Sequence, residues 1–349
     1  MGLKLADVAQ QLSSIERRIR EDGDTRNAQL LSIMAYITEN SSFQGYSPSS
    51  CPADYTVIAT DGSQIDVDRH ESTGCYLINV GWAIISYGPE PTASLDKRAE
   101  VSLKDERGSD YHDSDDDYQE IKDRLNIGLE RSLAEFRRLA ELTAKRDRRQ
   151  PCLAMVDGPL VLWGAAGASS QNKQGKQYYD QMVEAMEQIY RHALDGPLAL
   201  VGYTSYPGYR DIVEKLPATE KDLLLDRHIF GNLLEPGQRS IPFKVERSWG
   251  PDHEMYFFYL KTESEIARIE VPKWVAEDPY LLDTAHAAIL DQCTRGHGYP
   301  VALQEAHEQA VVTAADRENF WNMVSGVLNR RGFQTTSSAK SRSKRSRWL

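Results

Sequence analysis

Two short apolar runs in this chain break on an aspartate followed by a glycine: IATDGS (58–63) and MVDGP (155–159). Small and β-branched residues in so short a run, with a turn signal behind them, predict buried strands. A buried strand needs cover on both faces, which points to a mixed α/β domain with a shared sheet. A carboxylate at the end of such a strand is held rigidly, and the glycine beyond it admits backbone or ligand. If the two strands are neighbours, Asp61 and Asp157 converge. Two converging carboxylates do not both stay ionised without a cation between them, and hard divalent cations with oxygen ligands meet that need. Taken singly, each aspartate reads first as a turn or helix cap.

Elsewhere the periodicity supplies the rest of an α/β chain. Leu5, Val8, Leu12, Ile15 and Ile19 recur at spacings of three and four, predicting an amphipathic helix, and Leu30, Leu31, Met34 and Ile37 predict a second. Such a stripe is core or a dimer contact. Residues 55–60 predict a strand that enters a tight turn at Asp61-Gly62-Ser63, and 75–80 and 82–87 two further strands of a meander. A long helix is expected over 118–145, with Leu125, Leu129, Leu133, Phe136 and Ala140 on one face, followed by a strand at 152–157. Then come a Gly/Ser/Gln-rich loop (164–177), a helix (178–194), strands at 198–203, 255–260 and 266–271, and helices at 279–293 and 301–311. An N-terminal helical segment (1–45), one α/β domain (46–335) and a basic tail (336–349) account for the chain.

Several classes are excluded. Forty-one Lys and Arg against 52 Asp and Glu leave a net charge of −11, which disfavours a protein that simply coats DNA or an anionic membrane. Four scattered cysteines form no CxxC pair, so a zinc ribbon or disulfide scaffold is not expected. With no signal sequence and no run long enough to span a bilayer, a cytoplasmic protein without membrane contact is expected. No GxxxxGK[ST] loop is present, and Gly62-Ser63 lacks a GxSxG context. Asp113, Asp115 and Asp117 imitate the start of a calcium loop, but Tyr118 stands where glycine must turn the chain and Arg124 where the closing glutamate belongs. That stretch is expected to be a solvated loop.

A second polar cluster follows in RGHGYP (295–300) and the helix behind it, which carries His307. Tyr299 and His307 beside carboxylates suit metal ligation and phosphate positioning. A histidine packed in a core with both ring nitrogens satisfied is the competing reading.

Six pieces, in order, resemble the NurA nuclease family: VIATDGSQIDVDRH (57–70), YLINVGWAIISYG (76–88), LAMVDGPLVL (153–162), LLEPGQRS (233–240), ARIEVPKWVA (267–276) and RGHGYPVALQEAHEQAVVTAADRE (295–318). The resemblance implies an RNase H-like mixed sheet core with flanking helices across 46–335. It implies a Mn²⁺- or Mg²⁺-dependent nuclease acting on DNA, in a homodimer that works with a HerA-type hexameric ATPase in end processing, repair or phage defence. The alternative is a nuclease-like assembly subunit that docks on such a motor and cuts poorly. By motif, Asp61 and Asp157 match metal ligands, and Tyr299 and His307 the C-terminal active-site pair, with His307 a ligand too. The family's helix glutamate is assigned to Glu130, with Glu135 and Glu141 as alternatives, because the connection TAKRDRRQP (143–151) blurs the register. Arg210, the nearest cation after the strand at 198–203, and Arg295 are expected to meet DNA, as are Lys344 and Arg345 of the tail.

Overall fold

A computed structural model describes residues 5–40, 43–67, 74–103, 116–161, 173–216, 221–246 and 253–332. The acidic stretch at 105–115, most of the expected loop at 164–177, and Lys344 and Arg345 lie outside the described residues.

The first strand of the sheet, β1 (Tyr55–Ile65), is buried without interruption over its first six residues, as a central strand covered on both faces must be. It pairs antiparallel with β2 (Cys75–Tyr87), from Tyr55 opposite Tyr87 to Ile65 opposite Leu77. Strand β2 pairs antiparallel with β3 (Thr92–Leu103). On its other edge β1 takes β4 (Cys152–Asp157) in parallel, Thr56 beside Cys152 through Thr60 beside Val156. Strand β5 (Leu198–Ser205) continues in parallel beyond β4. The order β3-β2-β1-β4-β5, an antiparallel meander joined to parallel strands, is the RNase H-like mixed sheet that the resemblance implied.

The chain divides into two compact units, one of Met1–Ser49, Thr204–Phe243 and Phe257–Ile269, the other of Ser50–Tyr203, Lys244–Tyr256 and Glu270–Leu349. The smaller unit holds α1 (Leu5–Asn40), whose Ile33 is buried with Val213, Leu224 and Ile229. The larger unit holds α2 (Asp116–Thr143) and α3 (Lys173–Ala193). In the smaller unit again, α4 (Asp226–Leu233) carries Ile229. Strands β6 (Phe243–Lys244), β7 (Met255–Lys261) and β8 (Ile266–Pro272) each begin in one unit and end in the other. The rest of the larger unit is helical: α5 (Lys273–Ala276), α6 (Pro279–Arg295), α7 (Val301–Ala310) and α8 (Ala314–Arg330).

Helices α2 and α7 cover opposite faces of β1 and β2. A side chain at Gly62 would meet Arg131 and Glu135 of α2, whereas one at Gly81 would stand 2.5 Å from the backbone of Ala306 in α7. Gly81 is opposite Asp61 in the antiparallel register, so Asp61 shares the α7 face. Phe136 and Leu139 of α2 and Leu303 and Ala306 of α7 are buried in these contacts.

Four expectations change. The two N-terminal helices are one, α1, and its Leu12, Ile15 and Ile19 are exposed. The two strands at 75–80 and 82–87 are one, because Gly81 stays in register instead of turning. Strand β1 does not turn at Asp61; it runs on to Ile65, since β2 continues to supply hydrogen-bonding partners there. Strand β3, TASLDKRAEVSL, is added to the expected elements: its Ala93, Leu95, Ala99, Val101 and Leu103 alternate with polar residues, yet it is exposed along its whole length. Its central Asp96, Lys97, Arg98 and Glu100 are the charges that keep a sheet edge from pairing with other chains. Among the described residues no helix is long and apolar enough to cross a membrane.

Candidate active site

The parallel register that sets Thr60 beside Val156 puts Asp61 and Asp157 one step further along, on neighbouring strands and on the same face. There β4 ends while β1 goes on, so a cleft of 330 Å³ opens beside the second half of β1. Asp61, Gly62, Arg131, Glu135, Asp157 and His307 are among the residues that line it.

Each aspartate is held from the α7 face. Asp61 Oδ2 lies 2.7 Å from His307 Nδ1, and Asp61 Oδ1 accepts the N–H of Gly62 at 2.7 Å. The Tyr299 hydroxyl donates to Asp157, and the Tyr299 ring meets Tyr203 edge-on at 5.4 Å. Helix α7 is fixed at this end by the side chains of Ser63 and Asn79, both of which donate to the Ala310 carbonyl. His307 is the basic residue of the last turn of α7, where the helix dipole favours positive charge. With Nδ1–H given to Asp61, Nε2 keeps its lone pair for a ligand or a proton.

Glu135 enters from the α2 face. It is buried, and its carboxyl lies where Gly62 has no side chain: a Cβ there would stand 2.3 Å from Oε1. Burial pushes its pKa up to about 8; the Arg131 guanidinium beside it pulls the other way, while Asp61 and Asp157 add to the rise. Arg131 Nε is 3.3 Å from Glu135 Oε1. Asp157 is also raised, first by burial and then by Asp61, against the Tyr299 hydrogen bond and the nearby His307 and Arg131 charges.

Glu130 is elsewhere. It accepts hydrogen bonds from the hydroxyls of Tyr76 and Tyr178 and lines a separate cavity beside β2 and β3. Five residues along a helix turn the side chain by roughly 140° and carry it about 7.5 Å, so Glu130 and Glu135 cannot serve the same cleft. Of the three glutamates, Glu135, one of the two alternatives, is the one that lines the cleft with Asp61 and Asp157. Glu141, the other, pairs with Arg138 at 2.7 Å.

Of the residues expected to meet DNA, Arg210 and Arg295 are otherwise engaged. Arg210 pairs with Glu214 at 2.7 Å and donates to the carbonyls of Asp222 and Leu224, within the smaller unit. Arg295 pairs with Asp291 at 2.5 Å and stacks over Tyr87, and Asp291 also accepts from Tyr55. Tyr55 opens β1, roughly 20 Å of extended strand before Asp61. The structure thus brings Asp61, Asp157, Tyr299 and His307 together, and adds Glu135 and Arg131.

One further carboxylate supports the cleft from behind. Glu270 is fully buried and accepts the backbone N–H groups of Leu160 and Val161 at 2.9 and 3.3 Å. Gly158 N–H bonds the Tyr203 carbonyl at 2.8 Å. The turn that follows Asp157 is fixed by these bonds. Arg131 carries no signal of its own in the sequence, and Glu270, although it lies within ARIEVPKWVA (267–276), has no role assigned there.

As they stand, each carboxylate of the cleft is turned to its own neighbour. Among the described residues no three His, Cys, Asp or Glu side chains stand close enough to clasp one ion. The donor set nevertheless fits a hard divalent cation: three carboxylates and an imidazole nitrogen, with two of the carboxyls driven toward their protonated forms by burial and by Asp61.

Comparisons with known proteins agree with this architecture. The NurA nuclease from Sulfolobus solfataricus superposes with a TM-score of 0.57 at 14% identity, over 95% of this chain and 98% of that one. A second NurA structure gives a TM-score of 0.50 at 12% identity, over 89% and 96%. No curated protein matches the sequence. The NurA domain model matches residues 55–312, and the chain belongs to the NurA family.

Proposed function

We propose that this protein is a divalent-metal-dependent nuclease that hydrolyses DNA at ends or in single strands. The observation that carries the reading is the meeting of Asp61, Asp157 and Glu135 in one cleft, two from neighbouring strands and one from α2 beside Gly62. Asp61, Glu135 and Asp157 would hold the ion, with His307 Nε2 as a nitrogen ligand. That mixture suits Mn²⁺ better than Mg²⁺, which prefers oxygen and water. A bound divalent cation supplies charge neutralisation at the phosphate and makes water more acidic.

The chain's own residues do the positioning. Tyr299 fixes the Asp157 carboxylate, and the Asp61–His307 bond fixes both partners. With −11 overall, long-range attraction of DNA must come from elsewhere. The basic tail, including Lys344 and Arg345, and a HerA-type hexameric ATPase are the proposed sources. The exposed Leu12, Ile15 and Ile19 of α1 support association with a second copy of the chain.

Digestion of end-labelled duplex and single-stranded DNA in Mn²⁺ and in Mg²⁺, with and without a HerA-type partner, tests the reading. Cleavage that Asp61→Asn and Asp157→Asn abolish is expected. Wild-type rates from either variant would remove the site assignment.

A further inference from the structure

Arg131 is the one lysine or arginine among the described residues that line the cleft, in which it faces Asp61, Glu135, Asp157 and His307. Its side chain is 38% exposed, and it lies 3.3 Å from Glu135 through Nε. That approach is at an angle that makes no hydrogen bond, and Nε, although buried, has no hydrogen-bond partner among the described residues. Arg131 therefore sits against Glu135 without a formed fork, an arrangement in which little is lost when the partner turns away. The protein is acidic, and two of the residues that the sequence offered for DNA contact, Arg210 and Arg295, are committed to Glu214 and Asp291.

We propose that Arg131 is a substrate-binding residue of the cleft: it rests against Glu135 while no divalent cation is bound, and turns to a DNA phosphate once a cation takes that carboxyl over. The inference rests on the reading of the cleft as a metal-dependent nuclease site and adds to it the residue that receives the phosphate. A guanidinium suits that part, since its planar donors match two phosphate oxygens at once. The arrangement also couples the two ligands. A dication and Arg131 compete for Glu135, so loading the ion releases the arginine when the substrate phosphate needs it.

Two roles for Arg131 predict opposite results. If it only holds Glu135 in place, its loss weakens cation binding. If it competes with the cation, its loss leaves cation binding unchanged or tightens it, while DNA binding in the presence of the cation falls. The experiment compares wild type, Arg131→Ala and Arg131→Lys, each checked for an intact melting transition. Calorimetry measures Mn²⁺ affinity in the absence of DNA. A labelled single-stranded oligonucleotide with phosphorothioate linkages, its length checked after the measurement, gives DNA affinity as a function of salt with and without Mn²⁺.

For Arg131→Ala we expect Mn²⁺ affinity equal to wild type or several-fold tighter, and DNA affinity in Mn²⁺ about tenfold weaker. The Mn²⁺-dependent part of the salt slope should shrink by roughly 0.7, the share of one single-strand phosphate contact. Arg131→Lys, which keeps a point charge without the fork, should recover part of the DNA affinity. Loss of Mn²⁺ affinity in Arg131→Ala, or DNA affinity and salt slope equal to wild type, would overturn the assignment. Failure of the wild-type protein to bind Mn²⁺ at all would remove the underlying metal-site reading, and this inference with it.

Discussion

Glu135 occupies the place of the side chain that Gly62 lacks: a Cβ at position 62 would stand 2.3 Å from its Oε1. The glycine after the first aspartate does not turn the chain. It leaves room on the α2 face of β1 for the Glu135 carboxyl, which lines the same cleft as Asp61 and Asp157. Gly62→Ala should therefore displace Glu135, weaken Mn²⁺ binding by tenfold or more and cost about 1–3 kcal/mol of stability. Pairing it with Glu135→Ala should recover much of that stability, since the two changes share one contact. Calorimetric titration and thermal melts of the single and double variants measure both effects, and additive losses would show that the close approach is not the cause.

The raised carboxyl has a pH signature. Glu135 titrates near 8 in the folded chain and at about 4.3 in an unfolded one. Between those values the folded state keeps a proton that the unfolded state has released, so stability falls as pH rises through the window. Asp157, also raised, acts in the same direction. Metal-free protein should melt lower at pH 8 than at pH 5.5, and Glu135→Gln should flatten that fall and melt a few degrees higher at pH 8. Mn²⁺ should restore wild-type stability at pH 8 by binding only the folded state. Parallel pH profiles for wild type and Glu135→Gln would rule out Glu135 as the buried acid.

Glu130 and Glu135 should separate cleanly in activity. Glu130→Gln leaves an amide that still accepts from Tyr76 or Tyr178, and cleavage should stay within about threefold of wild type. Glu135→Gln should abolish it. Rates on one end-labelled substrate decide, and equal losses would put Glu130 back in the site.

His307→Ala should reduce Mn²⁺-supported cleavage more than Mg²⁺-supported cleavage if Nε2 is a ligand, because Mg²⁺ makes less use of nitrogen. Equal reduction with both metals would leave His307 only the task of orienting Asp61 across their 2.7 Å bond.

Glu270→Ala leaves the Leu160 and Val161 N–H groups without their buried acceptor. A loss of about 1–3 kcal/mol is expected, with weaker Mn²⁺ binding because the turn behind Asp157 loosens. Unchanged metal affinity in a destabilised Glu270→Ala would confine Glu270 to packing.

The sequence by itself determined the inner strands of the sheet and half of the cleft. Apolar runs ending in Asp61 and Asp157 are local patterns, and β4 spans the same six residues that its composition marks out. Tyr299 and His307 were legible because a glycine-rich turn and a short helix keep them in one stretch of chain. What tertiary structure alone decided is which helix glutamate joins them. The apolar stripe of α2 is wide, and Glu130 and Glu135 both lie at its margins; only the packing of α2 against the bare backbone at Gly62 brings one of them to the aspartates. Strand β3 carries a local signal, since Ala93, Leu95, Ala99, Val101 and Leu103 alternate with polar residues; what tertiary structure decided is that it lies exposed at the sheet edge, held by backbone hydrogen bonds to β2. The roles of Arg131 and Glu270 were decided in the same way: their partners, Glu135 apart, are contributed by distant segments, and a charge acquires a role only when folding sets another group against it.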